Sequence, residues 1–455
     1  MEGGRATSYI AARGKEYAEL AKDLWEHPEA SYHEERSAAL HRKHLAAQGF
    51  RVTECAEMPY SFIAEAGKGR PVIALMGEYD ALPGMSQTCS AKHEALVEGG
   101  AGHACGHNLL GVGSLAAAVA LADAAKAGTV AGTVRYYGCP AEEALGRIPL
   151  VRAGRFDDVD AALTWHPADV NTPHRYTTSA NLALTFRFAG RASHAAMAPQ
   201  AGRSALDAVQ LMNLGIEFLR EHVGRGTMLH YVITDGGQRP NIVPATAALA
   251  LYIRGPRAEE LRSTFKRILK IAKGAALMTE TTFAWEATHG KCDFIPNDVI
   301  HESLLRAMKT LPPPQPGAGE LAFARDLAAT VAKKDRGATL ALVGAPESLL
   351  KTTIHRAIGD FGAGIRIGGS LDVGDVSYIA PTGQMNAAVW PLGVGAHTWQ
   401  SASASGSPWA FKGMLWAASI LAEAGLELMA SPELLAAAKT EHRGKTRPWR
   451  STMDL

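Results

Sequence analysis

Gly102-His103-Ala104-Cys105-Gly106-His107-Asn108 runs straight into the apolar stretch Leu109 to Ala122. A Gly-rich turn that carries a thiol and an imidazole, followed at once by a buried helix (Leu109 to Ala125), puts metal-binding side chains at a helix start. The surroundings repeat the arrangement with strands. Val72 to Met76 is a short apolar run, read as a buried strand, and ends at Gly77-Glu78-Tyr79-Asp80. Thr133 to Tyr137 reads as a strand running into Cys139-Pro140-Ala141-Glu142-Glu143, and Ala161 to Trp165 as another running into His166. Sites in open α/β sheets form at the carboxyl ends of strands. The chain is therefore predicted to be α/β, with amphipathic helices at Glu16 to Trp25 and Glu34 to Gln48.

The pattern changes after Thr178. Leu182, Leu184, Phe186 and Phe188 alternate, as a half-exposed strand does. A helix from Ser204 to about His222, strands at Met228 to Thr234 and Ala247 to Ile253, a helix at about Ala258 to Ala275 and a strand at about Thr281 to Ala287 complete the series. Strand-helix-strand-strand-helix-strand is a ferredoxin-like α+β unit. It is placed at 178–289, as an insertion between catalytic segments 1–177 and 290–455. His397 lies near the chain's end, so the catalytic domain is expected to be discontinuous. No internal repeat is evident, and the Pro- and Gly-rich stretch Leu311 to Gly319 reads as a loop.

Composition narrows the classes. At 455 residues the chain can hold two domains, and its 47% hydrophobic and 20% charged content is that of a soluble globular protein. A net charge of +1 gives no case for nucleic acid or an anionic membrane surface. The opening residues lack a signal-peptide hydrophobic region, and Leu109 to Ala122 is too short to span a bilayer. Five scattered cysteines (Cys55, Cys89, Cys105, Cys139, Cys292) point to a reducing, cytoplasmic setting.

Each motif also has an ordinary reading. Cys105 and His107 could be a buried thiol beside a solvated imidazole, and Glu142-Glu143 an exposed helix start. His166 could cap a surface loop, and His397, in Gly395-Ala396-His397-Thr398-Trp399, could be a packing residue. The four motifs together favour thiolate, imidazole and carboxylate around a divalent transition metal. Adjacent acids let one bind metal while the other handles protons, which points to metal-assisted hydrolysis. His93 and His103 read as ordinary polar residues.

Several segments together resemble the co-catalytic metallopeptidase/aminoacylase family. They are Leu24 to Glu35 (LWEHPEASYHEE), Met76 to Gln87 (MGEYDALPGMSQ), the Gly102 motif, GCPAEE, WHP, RASHAA (Arg191 to Ala196), Gly202 to Asn213, ITDGGQRPNIVP (Ile233 to Pro244) and GDVSYIAP (Gly374 to Pro381). They fall in family order along nearly the whole chain and are most similar to the branch of auxin-conjugate, hippurate and p-aminobenzoyl-glutamate hydrolases.

The resemblance implies a zinc-peptidase-like catalytic domain with an inserted dimerisation (lid) domain. It implies Cys105, His107, Glu143, His166 and His397 as ligands of two ions, Glu142 as general base, and Asp80 as a residue that orients a ligand. Glu78 stands where zinc peptidases of the wider family carry a His, and is not counted as a first-choice ligand. His194 is implied to stabilise the oxyanion of a partner's site, and Asn241 and Arg254 to bind the substrate's carboxylate. Arg239 and Arg257 offer the same fork as Arg254. Soft thiolate favours manganese, zinc or cobalt over magnesium.

The activity expected is hydrolysis of an N-acyl or N-aroyl amino acid, such as an aminobenzoyl-glutamate-like conjugate, by a homodimer or higher oligomer. A hetero-subunit is allowed. The alternatives are cleavage at an aromatic amine or another non-peptide amide, and a non-catalytic binding subunit. The last would have lost Glu142 or a ligand, and neither is lost. Pocket walls are expected from loops at Pro314 to Glu320 and Thr398 to Pro408.

Overall fold

The computed structural model describes residues 4–455. Among them the strands are β1 (Arg51–Glu54), β2 (Phe62–Lys68), β3 (Val72–Glu78), β4 (Gly132–Cys139), β5 (Ala161–Ala168), β6 (Thr172–Pro173), β7 (Ala180–Ala189), β8 (Met228–Asp235), β9 (Thr246–Gly255), β10 (Thr282–Lys291) and β11 (Thr382–Ala388). The chain forms two compact units.

The larger unit comprises Met1–Thr177, Ile295–Ile367 and Val376–Pro448. Its sheet has the order β1-β2-β4-β3-β5-β11-β6. The central strands β4, β3, β5 and β11 run parallel, and β1, β2 and β6 pair antiparallel at the margins. Every residue of β3 and of β11 is buried. A parallel strand covered on both faces needs apolar side chains throughout, which is why Val72–Met76 shows no alternation.

The helices His107–Lys126 and Pro408–Ala430 pack in the same core cluster as β3, β4 and β5. Both are long and apolar enough to cross a membrane, so the first exceeds the length expected from its sequence. Their apolar windows are 83% and 72% buried inside the protein, which marks them as core helices.

The smaller unit comprises Thr178–Phe294, Gly368–Asp375 and Trp449–Leu455. Its sheet order, β10-β7-β9-β8, is that of a ferredoxin-like βαββαβ unit, with the helices Ala205–Arg220 and Ala258–Thr279 between strands. Leu182, Leu184, Phe186 and Phe188 are buried on the face that alternation assigns to the core. Ser204 caps the first helix by accepting the Asp207 N–H at 3.1 Å.

Strand β10 continues past a bulge at His289 to Lys291. Two short distant segments complete the unit. Asp375 accepts the Cys292 N–H at 2.9 Å and the Trp449 indole N–H at 2.8 Å. Arg262 donates to the carbonyls of Arg450 and Ser451 at 2.8 and 2.9 Å.

Candidate metal centre

The larger unit gathers the predicted ligands at the carboxyl ends of β3, β4 and β5 and at the start of the helix His107–Lys126. Gly106 makes the turn between Cys105 and His107 possible. Its φ is +75°, and an added Cβ would lie 2.8 Å from two Pro167 ring carbons. The turn can thus press against the residue that follows His166. His166 is not in a loop after the strand: β5 continues through it to Ala168. His397 has a φ of +62°, and its N–H donates to the Ala104 carbonyl at 2.9 Å. This ties the late segment to the Cys105 turn.

Donor atoms of Cys105, His107 and His166 lie within 4.8 Å of one another, as do those of Cys105, Glu143 and His397. Two three-donor groups sharing Cys105 are the donor set of a site for two metal ions. A third group joins Glu78, His107 and Glu142. Glu78, set aside as a ligand in the sequence, therefore sits at the centre. Its Oε1 accepts from Arg147 Nη2 at 2.5 Å, and its Oε2 lies 3.3 Å from His107 Nε2. Arg147 is fully buried and went unnoticed in the sequence. The one available signal was a lone cation in the apolar run after Glu143.

The surrounding groups fix the ligand orientations. His107 Nδ1 lies 2.8 Å from Asp80 Oδ1, so Nδ1–H points at Asp80 and Nε2 points into the cluster. Asp80 Oδ2 accepts from Ser31 Oγ at 2.9 Å and from the Glu143 N–H at 3.0 Å. His166 Nδ1 lies 2.7 Å from the Pro167 carbonyl, and its Nε2 is 3.5 Å from Cys105 Sγ. Glu143 Oε1 is 3.0 Å from His397 Nε2.

The residues fit a bound metal. His107 Nε2 and Glu143 Oε1 are buried, and their near neighbours, Glu78 Oε2 at 3.3 Å and His397 Nε2 at 3.0 Å, do not meet them in well-directed hydrogen bonds. Such atoms are costly unless something pairs with them, and a cation would.

Electrostatics agree. Burial opposes ionisation of Cys105, but His107 and His166 pull its thiol well below the ordinary value. Burial likewise opposes charge on His107, while Cys105 and Asp80 raise it well above normal. His166 is raised to about 9 against burial, chiefly by Cys105, and contacts with Cys105 and Glu143 hold His397 up at about 10. Burial and then Cys105 push Glu143 to about 7. Asp80 stays at about 2 despite burial, because His107 faces it. The thiolate and carboxylates thus draw positive charge into a buried cluster.

Of the other expected residues, Glu142 stays at the centre, its carboxylate within 4.8 Å of donor atoms of Glu78 and His107, and the rest fall elsewhere. Glu142 is only 4% exposed, in the turn after β4. His194, Asn241 and Arg254 lie in the smaller unit. His194 and Asn241 share one loop pair: His194 bridges Ile242, and the Asn241 carbonyl accepts the Ala195 N–H at 3.0 Å. His194 is exposed, with Nδ1 accepting the Ala196 and Met197 N–H groups at 3.3 and 3.2 Å. Half-buried Arg254 donates to the Gly368 carbonyl and to Ser370 Oγ at 3.1 and 3.2 Å.

His103 is buried, with Nε2 3.2 Å from the Leu24 carbonyl, and His93 stacks on Trp399. Thr398 is the cap of a short helix, Trp399–Ala404, where a loop was expected.

A parallel-centred sheet carrying a two-metal donor set, one of whose acids adjoins a second, buried acid in sequence, defines a metal-dependent hydrolase. The chain matches peptidase family M20/M25/M40 over residues 74–404 and belongs to that family. It is 40% identical to the B-type subunit of p-aminobenzoyl-glutamate hydrolase from Escherichia coli (strain K12), over 96% of this chain and 94% of that one. It is 31% identical to the Xaa-Arg dipeptidase of Mus musculus, over 65% of this chain and 68% of that one. In fold it is similar to a dinuclear metal binding peptidase of the M20 family from Bacillus subtilis, with a TM-score of 0.59 and 17% identity over 92% of this chain and 99% of that one. The chain is a metal-dependent amidohydrolase acting on a small-molecule substrate.

Proposed function

We propose that the chain hydrolyses the amide bond of an N-acyl or N-aroyl amino acid, an aminobenzoyl-glutamate-like conjugate being the leading candidate. The observation that carries this reading is the Cys105–His107–His166–Glu143–His397 cluster, buried at Cys105 and His107 and opening to solvent at His397, with buried Glu142 beside it. These five side chains would hold two ions of manganese, zinc or cobalt, the softer ions that a thiolate favours. When bound, the pair supplies Lewis-acid chemistry and acidifies water.

Glu142 takes the proton from the attacking water and returns it to the leaving nitrogen. Asp80 keeps His107 Nε2 aimed at the cluster. His194 donates to the developing oxyanion of a partner protomer, and Asn241 and Arg254 receive the substrate's free carboxylate, which suits the planar fork of Arg. The inserted unit serves as lid and dimerisation domain at about 178–289, and the protein works as a cytoplasmic homodimer. Since the E. coli relative is one subunit of its hydrolase, a related second subunit is a further partner to test for.

Purified, metal-loaded protein assayed against N-acyl and N-aroyl amino acids tests the substrate class. Glu142→Ala should keep two ions per chain and lose ~10²–10⁴ in turnover. Near-normal turnover there would remove Glu142 from its role. Mixing inactive His194→Ala and Glu142→Ala dimers should restore activity if His194 serves the partner's site, and exchange without recovery would refute that.

A further inference from the structure

We propose that Glu34 is a positioning residue that holds the turn bearing Glu142 in its working shape. The inference rests on Glu142 being the general base. Glu34 immediately precedes the helix Glu35–Ala47 and is fully buried. Its Oε1 accepts the Ala141 N–H at 2.6 Å, across 107 residues of sequence. Ala141 directly precedes Glu142 and has a φ of +54°. L-residues other than Gly seldom adopt that region, because Cβ crowds the backbone. The Ala141 carbonyl is held from the other side, by the N–H groups of Ala144 and Gly146 at 3.0 and 2.8 Å. The strained residue is therefore clamped at both its N–H and its C=O, and Glu34 supplies the N–H clamp.

The same short segment braces the other flank. Ser31 donates to Asp80 Oδ2 at 2.9 Å, and that oxygen also takes the Glu143 N–H. Ser31 and Glu34 thus hold the chain on both sides of Glu142. Folding alone gives no reason for an acid here. Glu34 Oε2 is buried with no hydrogen-bond partner, and burial followed by the nearby Asp80 pushes the carboxyl up to about 7. A buried carboxyl whose only partners are neutral backbone N–H groups, its own and that of Ala141, is a poor stabiliser. Its placement makes sense as a rigid acceptor that fixes the conformation before the base.

Three substitutions separate the acceptor from the volume. Glu34→Gln keeps an oxygen for Ala141, Glu34→Met fills the space without one, and Glu34→Asp draws the acceptor back by one methylene. With an N-benzoyl amino acid as substrate, Glu34→Met should lose roughly 10–100-fold in kcat, the scale of an ångström-level misplacement. KM should change little, and metal analysis should still give two ions per chain. Glu34→Gln should recover most of that loss. Adding Ala141→Gly to Glu34→Met should recover part of it, since Gly adopts positive φ without strain.

Wild-type kcat in Glu34→Met overturns the inference. So does a loss matched by lost metal, or a double variant no better than the single. If Glu34→Met does not fold, Glu34→Asp is read against the same criteria. Glu142→Gln, assayed alongside, separates the two ideas. If it stays active, the general-base reading fails. If it is inactive while Glu34→Met and Glu34→Asp are normal, only the role of Glu34 fails.

Discussion

Replacing Gly106 with Ala should damage folding and metal binding together. At φ +75° an L-residue costs ~1–2 kcal/mol. The new Cβ would also lie 2.8 Å from Pro167 Cβ and Cγ and 3.3 Å from Trp390 Cζ2. Carbon pairs rest at ~3.5–4.0 Å, so the overlap approaches 1 Å. Overpacking of that kind adds ~1–3 kcal/mol. The sum is roughly 2–5 kcal/mol out of the ~5–15 kcal/mol typical of a domain.

Pro167 sits in β5 and cannot retreat easily, so the shift falls on the Cys105–His107 turn and widens its gap to His166. Metal sites tolerate only ~0.2 Å of ligand displacement. Affinity for zinc should therefore drop by at least ~10-fold. Urea unfolding of metal-free protein measures the first effect and titration calorimetry the second. Gly128→Ala is the control, because Gly128 has φ +77° but nothing within 4 Å of an added Cβ. It should carry the backbone cost alone and leave metal binding intact. Equal effects of the two substitutions on zinc affinity would refute the packing argument.

Two further expectations concern buried charge. Arg147→Met leaves the Glu78 carboxylate buried beside His107 without its cation, at a cost of ~3–5 kcal/mol in chemical denaturation, and Glu78→Gln in the same chain should return part of it. A stability near wild type in Arg147→Met would mean that the pair contributes little. His41 is fully buried, 5.1 Å from the Tyr79 ring, and burial lowers it from 6.5 to about 4. Only the unfolded chain takes up that proton between these values, so its share of stability is present above pH 6.5 and lost as pH falls to 4. A gap of ~2.5 units at ~1.4 kcal/mol each is roughly 3–4 kcal/mol. Urea denaturation of His41→Phe should show that much less acid sensitivity than wild type over this range, and parallel curves would exclude the effect.

Much of this was legible in the sequence because its signals are local. Val72–Met76 reads as a buried parallel strand from five consecutive apolar residues, and Leu182 to Phe188 as a half-exposed one from alternation. The ligand motifs stood out because each follows such a strand or opens a helix. Glu34 and Arg147 gave no comparable signal. Glu34 stands next to Glu35 and looks like the acidic start of an exposed helix, while its partner lies 107 residues away. Arg147 finds Glu78 69 residues back, on a different strand end. The segment from Thr398 was mistaken for loop because its helix is short and its residues small, so no apolar period develops. Gly368–Asp375 and Trp449–Leu455 carry no periodicity that would assign them to the smaller unit.

Those last two segments bear on how the protein is made. As the polypeptide leaves the ribosome, all four strands of the small sheet are available well before the unit is complete. Arg262 must wait 188 residues for the Arg450 carbonyl, and Asp375 must wait 74 for the Trp449 indole. Until then the unit lacks the strap that Arg262 holds, while its edge strands β10 and β8 are free to pair with other chains. Contacts so distant in sequence form slowly. Completion of this unit thus waits for residues 449–455 to emerge, and the growing chain has most need of a chaperone in that interval.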